Sequence, residues 1–430
     1  MTSRAVPVAT PAKVPLGLVL ALGGLSSFGP LSMDLYLPAL PQLTTDLRAS
    51  EASAQLSLSV CMIGLALGQL LVGPLTDRVG RRVPLLVGVA LFAVTAGLCA
   101  IAPSIEILLL LRLLGGLAGG AGIVIARAMV RDLYDGTAAA RVFATLMLVS
   151  GTAPVVAPVL GGQLLRVTDW RGVFGALALV GAVLLVAAVT LRETLPRDRR
   201  RPDGLVAMTR VLREVVHDRR FLVPALVQGI GMCGMFTYIA MGSFVIQGVY
   251  GFGAVEYSLV FAANAVGIVV AGRISALLVT RVGPRRLLAV GVAVALAAAV
   301  AMLVGVLVSA SVWALLPSLW VLVSCTGVIM PNATALALAD QGRTAGTASA
   351  VIGLLQFAVG AIVPPLASLR GVSPVVMAGT ILATATVTAL VQFGLRVPAS
   401  MAATPPHRSV PPACDGVGAG GVTPGDGPSC

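Results

Sequence analysis

The chain has 430 residues, of which 57% are hydrophobic and 11% charged, with a formal net charge of +12. Soluble domains are about a quarter charged residues, so this composition excludes a soluble globular protein and predicts a polytopic membrane protein. The positive charge does not indicate nucleic-acid binding, because no basic run carries interleaved aromatic residues or a nucleic-acid motif.

Segmentation at clusters of charge, Pro and Gly predicts twelve membrane spans. Each reaches the ~20 residues that a helix needs to cross the hydrocarbon core. The first segment is too long for a signal peptide and lacks a convincing cleavage site, so we interpret it as span 1. Spans 1 to 12 are predicted at 15–43, 54–76, 83–103, 105–130, 142–165, 172–191, 221–248, 257–279, 287–309, 312–338, 345–368 and 373–395.

The pattern predicts an all-α protein with two six-helix halves, residues 15–191 and 221–396. A short N-terminus (1–14), a linker (192–220) and a Pro/Gly-rich tail (397–430) lie outside the halves. The tail has little to bury and is expected to be disordered, and a short interfacial helix is plausible at 205–216. A weak repeat, GPLTDRVGRR after span 2 and LVTRVGPRR after span 8, is typical of transporters built from related halves.

The distribution of Arg and Lys predicts the orientation. Nine fall between residues 192 and 220, and most of the others fall in loops on the same side of the predicted membrane. Cytoplasmic loops carry this excess of positive charge, so both termini and the linker are expected in the cytoplasm. Abundant Arg, Ala and Val suggest a bacterial protein, which predicts the inner membrane.

Asp34 is the only carboxylate in the apolar stretch that runs from residue 14 to 43. An ionisable residue inside a span marks a functional site by default. The two histidines, His217 and His407, lie in the linker and the tail, which leaves Asp34 as the candidate proton-coupling residue. The alternative is a structural acid that caps a kink after Gly29 and Pro30.

Arg112 is an arginine inside predicted span 4 and is followed by a glycine-rich sequence. Arg112 and Asp34 each lie about 7 Å outward of the middle of their spans, at the rise of an α-helix. The two charges are therefore expected at the same depth. A carboxylate held between the cost of desolvation and the field of a nearby arginine can change protonation as solvent access alternates.

The loop after span 2 resembles the G-x-x-x-D-R-x-G-R-[RK] signature of the major facilitator superfamily. The residues that match are Gly73, Asp77, Arg78, Gly80, Arg81 and Arg82. The sequences SMDLYLPALPQL, APVVAPVLGG and MFTYIAMGSFVIQ narrow the resemblance to drug:proton antiporters of the bicyclomycin and chloramphenicol resistance (Bcr/CflA) subfamily. The resemblance covers residues 15 to 395 and implies a twelve-span major facilitator fold.

The resemblance implies a cytoplasmic latch at this loop. Asp77 would lie near the N-terminus of span 11, where the helix dipole favours an anion, and Arg81 would pair with Asp132 at the foot of span 4. Such contacts would lock the outward-facing state and break when the inner side opens. The alternative is that these arginines only enforce topology.

Span 5 carries Pro154, Pro158, Gly161 and Gly162, which resemble the helix 5 antiporter motif although Ala replaces its first two glycines. Interior Pro kinks a helix and Gly allows close helix contact, so this segment is expected to pivot. Beside Arg112, the candidate substrate-pocket residues are polar and lie in spans 1, 7, 8, 10 and 11. They are Tyr36, Tyr238, Asn264, Asn332 and Gln356, and each is an equally good candidate for hydrogen bonding between helices.

The predicted function is proton-coupled efflux of drug-like or antibiotic molecules by alternating access. The expected partners are an amphipathic small molecule, protons and the lipid bilayer; no catalytic activity, cofactor, metal or nucleic acid is expected, and the protein is expected to be monomeric. One alternative is a dedicated exporter of one endogenous metabolite. A membrane receptor or enzyme would need a signalling domain or catalytic cluster, which the sequence lacks.

Overall fold

The computed structural model describes residues 16–134, 136–200, 217–309, 311–341 and 345–395. The predicted tail and interfacial helix lie outside the described residues. The described part is helical and contains no strand, which confirms the predicted fold class. Nine of its helices are long and apolar enough to cross a membrane.

The helices coincide with the twelve predicted spans, to within a few residues at most ends. Span 1 comprises Leu16–Ser26, Phe28–Asp34, the 3-10 turn Leu37–Ala39 and Leu40–Asp46. Spans 2 to 6 are Glu51–Val79, Arg82–Ala100, Ile105–Leu133, Gly136–Leu164 and Trp170–Val189. Spans 7 to 12 are Arg219–Val249, Ala254–Val282, Pro284–Ser309, Val312–Leu338, Ala345–Ala367 and Pro374–Gly394.

Span 1 is interrupted where its residues compete for backbone hydrogen bonds. The Ser26 and Ser27 hydroxyls donate to the carbonyls of Leu22 and Gly23 at 2.9 and 3.0 Å, a contact that bends helices. Pro38 and Pro41 then remove two backbone donors. Asp34 therefore lies at the end of a short helix.

Glycines bring spans 2 and 4 into backbone contact. A Cβ atom at Gly64 would collide with the carbonyl of Leu113, and one at Gly116 would collide with the carbonyl of Cys61. Only small residues allow helix backbones to approach so closely. The glycine-rich sequence of span 4 therefore fixes the depth and direction of Arg112, which lies on the same helix.

The two halves meet along two pairs of helices, span 2 with span 11 and span 5 with span 8. We call the end of the bundle that carries loop 73–82 and residues 192–200 the linker end. The end that carries the turns at 47–50, 165–169, 250–253 and 368–373 is the far end.

Candidate functional site between the halves

Asp34 is the central feature of the candidate site. Its side chain is only 5% exposed, and it is the one carboxylate that is buried among the residues the structure describes. Its carboxyl group interacts electrostatically with the hydroxyls of Tyr238 and Tyr257, which belong to spans 7 and 8. Asp34 therefore faces the C-terminal half.

The C-terminal half supplies an aromatic wall with two hydroxyls. The Tyr238 hydroxyl accepts a hydrogen bond from Asn264 Nδ2 at 3.1 Å, and its ring stacks on Phe261 with centroids 5.5 Å apart. The Tyr257 hydroxyl is fully buried and has no hydrogen-bond partner. Tyr257 was missed by the sequence analysis, because a tyrosine one turn into a span resembles an ordinary interfacial aromatic residue.

Arg112 is buried, as its depth predicts, but it points away from Asp34. Its Nη1 donates to Ser32 Oγ at 2.7 Å, and its guanidinium lies 4.5 Å from the centre of the Tyr36 ring. Both Asp34 and Arg112 are described, and no ion pair within 4.0 Å joins them. That the two charges lie at the same depth stays a prediction.

Helix geometry explains this separation. Ser32 and Tyr36 are four residues apart and share one face of span 1, whereas Asp34 is two residues from each and points to the other side. Arg112 thus belongs to a cluster inside the N-terminal half, with Phe174 5.6 Å from its guanidinium and its Nε and Nη2 unpartnered. The Tyr36 hydroxyl also bonds within that half, to Ser57 Oγ at 2.8 Å.

Two of the candidate pocket residues make contacts within the C-terminal half. Asn332 Nδ2 donates to Ser275 Oγ at 2.8 Å and to the carbonyl of Val328 at 2.7 Å, so it connects span 10 to span 8, as the alternative interpretation of this residue predicts. Gln356 is half-buried on span 11, where its backbone packs beside Gly229 of span 7.

The span 5 motif packs against the residues that directly follow Asp34 and Tyr257 in the sequence. A Cβ at Gly161 would collide with the carbonyl of Leu35, and one at Gly162 would collide with Ser258 Oγ. These glycines therefore let span 5 touch span 1 within its own half and span 8 across the interface. Pro158 is buried one turn before them and Pro154 is half-buried.

The loop after span 2 is held by a dense polar cluster. Arg81 is 5% exposed; its Nη1 lies 2.6 Å from Asp77 Oδ1 and its Nε lies 3.0 Å from Asp132 Oδ2. Gly80 has φ +104°, a conformation that favours glycine. A Cβ atom at Gly73 would make only van der Waals contact with Val124. Arg78 is exposed, and the guanidinium of Arg82 donates to the carbonyl of Val189 at 3.3 Å.

Glu193, just after span 6, completes this cluster and was missed by the sequence analysis. Its carboxylate accepts the backbone N–H groups of Arg81, Arg82, Thr194 and Leu195 at 2.8 to 3.2 Å. Partial burial acts to raise the pKa of Glu193, but these four donors outweigh it and hold the pKa below its ordinary value of 4.5. Residues 192–200, predicted as linker, thus begin by packing on loop 73–82.

All of these linker-end contacts lie within the N-terminal half and the first residues of the linker that follows it. The Thr194 hydroxyl also donates to Asp132 Oδ2 at 3.0 Å, which ties spans 4 and 6 to the loop. Asp77 is 45% exposed, and residues 342–344, which precede span 11, lie outside the described residues. The pairing of Arg81 with Asp132 is therefore present, but it does not join the two halves.

A helical bundle in two halves, with a buried carboxylate at their interface, defines a multi-pass membrane transporter. The described residues contain no group of His, Cys, Asp and Glu side chains that could hold a metal ion. Residues 20–365 match the family model of the Major Facilitator Superfamily, and the chain belongs to that family.

Two relatives and one solved structure illustrate the similarity. The chain is 35% identical over 390 residues to the uncharacterized MFS-type transporter YdgK of Bacillus subtilis, covering 89% of this chain and 96% of that protein. It is 31% identical to a bicyclomycin resistance protein homolog of Haemophilus influenzae, covering 81% and 88%. A bacterial homolog of the human lysosomal transporter Spinster superposes with a TM-score of 0.67 at 17% identity, covering 87% and 95%.

Proposed function

We propose that this transporter exports an amphipathic drug-like molecule in exchange for protons, and that Asp34 binds proton and substrate in alternation. The observation that carries the proposal is the burial of the Asp34 carboxyl group, which interacts electrostatically with two tyrosine hydroxyls of the opposite half. A charge buried there is costly without a partner, so a proton or a cationic or hydrogen-bonding substrate group stabilises the site. The name of the Haemophilus influenzae relative supports a drug as substrate.

The remaining residues have supporting roles in this proposal. Tyr238, Asn264 and Tyr257 form the wall that faces Asp34, while Arg112 fixes Ser32 and Tyr36 on the opposite face of span 1. Relative movement of the halves changes the contact of span 5 with span 8 at Gly162, and Pro158 allows span 5 to bend.

The positive-inside distribution supports a bacterial inner-membrane protein with the linker end in the cytoplasm. In that orientation the loop after span 2 faces the cytoplasm. We propose that Asp77, which is partly exposed, is the latch residue that reaches the other half, and that Arg81, Asp132 and Glu193 hold the loop in the shape that presents it.

Asp34→Asn tests the function, because the amide keeps the shape of the side chain and cannot ionise. The experiment is a drug-susceptibility panel in a pump-deficient host, followed by proton release from purified protein when a protective drug is added. Wild type should confer resistance and release protons, whereas Asp34→Asn should do neither at equal expression. Asp340→Asn, at a carboxylate whose side chain is 60% exposed, is the matched control and should behave as wild type.

Export that depends on a pH gradient in Asp34→Asn would refute the coupling role of Asp34. Protection against a single compound across a broad panel would favour a dedicated exporter over a multidrug exporter.

A further inference from the structure

The far end of the bundle contains three hydrogen bonds that cross between the halves. Gln247 Nε2 donates to the carbonyl of Pro38 at 3.1 Å, Ser368 Oγ donates to Gln55 Oε1 at 3.0 Å, and the backbone N–H of Val372 donates to Glu51 Oε2 at 3.0 Å. We infer that Glu51, Gln55 and Gln247 form a gate, here named the far-end clamp, that closes the transport pathway at this end.

The first part of the clamp joins span 7 to span 1. Gln247 lies in the π-helical segment Phe244–Val249, and such segments are often found at functional sites. Its amide nitrogen uses both hydrogens, one on the carbonyl of Pro38 and one on Ser243 Oγ at 2.7 Å.

The second part joins span 2 to the turn between spans 11 and 12. Glu51 and Gln55 are four residues apart, so they share one face of span 2, and both contact the segment from Ser368 to Val372. Gln55 is fully buried and Ser368 is 2% exposed, so water cannot readily replace this bond. Gln55 Nε2 has no partner, which leaves one amide group poorly satisfied while the clamp is closed.

The partners of Gln247 and Glu51 are backbone groups of the other half. A backbone partner cannot be lost by substitution. The neutral bond of Gln247 adds only modest stability and the charged acceptor Glu51 adds somewhat more, so a few such bonds close the far end and still allow it to open in each transport cycle. This inference rests on the proposed alternating access, but not on the identity of the substrate or on Asp34.

The clamp is tested by measuring far-end distances in the full-length purified protein. Spin labels are attached at Val167→Cys and Val308→Cys, positions that are 84% and 81% exposed on opposite halves, after replacement of the six native cysteines. The double variant Glu51→Ala with Gln247→Ala should raise the ratio of long to short label distances about tenfold, because two cross-half hydrogen bonds are lost.

Two further variants separate the clamp from general effects. Glu51→Gln can still accept from Val372 but loses charge assistance, so its shift should be smaller than that of Glu51→Ala. Glu106→Ala removes an acid from the first turn of span 4, as Glu51→Ala does from span 2. Among the described residues Glu106 has no hydrogen bond or ion pair with the other half, so this variant should leave the distances unchanged.

Unchanged distances in the double variant, or an equal shift in Glu106→Ala, would overturn the clamp. The measurement needs neither drug nor pH gradient, so a failure of the clamp is distinguishable from a failure of proton-coupled export. An increase in long distances together with normal proton release would support the clamp and leave the role of Asp34 intact.

Discussion

At the linker end, Arg81, Asp132 and Glu193 join helices of the same half, whereas at the far end Glu51 and Gln247 reach across to the other half. Contacts inside a half persist when the halves move as rigid bodies, whereas contacts across the interface must break in every cycle. The linker-end contacts among Arg81, Asp132 and Glu193 thus contribute mainly to folding stability. The far-end contacts contribute to the equilibrium between conformations.

Arg81→Ala should have the largest effect on stability. It leaves Asp132, which is 15% exposed, without its cation, and the loss of one partner from a largely buried pair costs about 3 kcal/mol. Thermal unfolding in detergent should show a clearly lower midpoint. Arg78→Ala, at an exposed neighbour, is the control and should unfold normally; an unchanged midpoint in Arg81→Ala would contradict the stabilising role of the linker-end contacts.

Gly162→Ala should act on the interface instead. The added Cβ meets Ser258 and the carbonyl of Ala254 on the other half, and overpacking of this kind costs about 2 kcal/mol. The label distances at the far end should lengthen, with little change in the unfolding midpoint. Gly161→Ala is the matched comparison, because its Cβ meets Leu35 of the same half. This variant should lower the unfolding midpoint. The same result from both variants would contradict the distinction between contacts inside a half and contacts across the interface.

Glu193→Gln should destabilise the linker end by about 1 kcal/mol at neutral pH, because the neutral amide binds the four backbone donors less well. The pKa of Glu193 is lowered in the folded protein, so its contribution is present above the unfolded pKa and is lost as pH falls through the folded value. The gap between wild-type and Glu193→Gln unfolding midpoints should therefore close below about pH 4.5. A gap that is constant from pH 7 to pH 3.5 would exclude the ionised carboxylate as its source.

Asp340→Asn should have the smallest effect. Asp340 Oδ2 lies 3.4 Å from Arg220 Nη1, and the two side chains are 60% and 41% exposed, so solvent screens the pair and it contributes less than about 0.5 kcal/mol. The unfolding midpoint should match that of wild type within error. A loss as large as that of Arg81→Ala would show that burial does not determine the strength of linker-end contacts.

The fold was predictable from the sequence because hydrophobic length alone limits where a chain can cross a membrane. The twelve spans needed only runs of apolar residues, and the burial of Asp34 followed from its place in such a run. Loop 73–82 was also found in advance, because its glycines and arginines have fixed spacing.

Other features of the site depend on positions far apart in the chain. Tyr257 interacts electrostatically with Asp34 although the two residues lie far apart in the sequence. Glu193 caps a loop that begins more than a hundred residues earlier. Pro38 and Val372 contribute backbone groups to the clamp. Because nearly every residue type offers the same backbone groups, such partners cannot be predicted from the sequence.

The sequence by itself determined where the long apolar helices lie along the chain and the position of one carboxylate within the first of them, because these features depend on hydropathy along the chain. Tertiary structure alone decided direction: Arg112 turns to Ser32 and Tyr36, and Asp34 turns to the other half. The position of a residue along a helix follows from the helical rise. The direction of a side chain near a break in span 1 depends instead on where Pro and Ser residues end each short helix, and on which neighbouring helix can pack closely against a glycine.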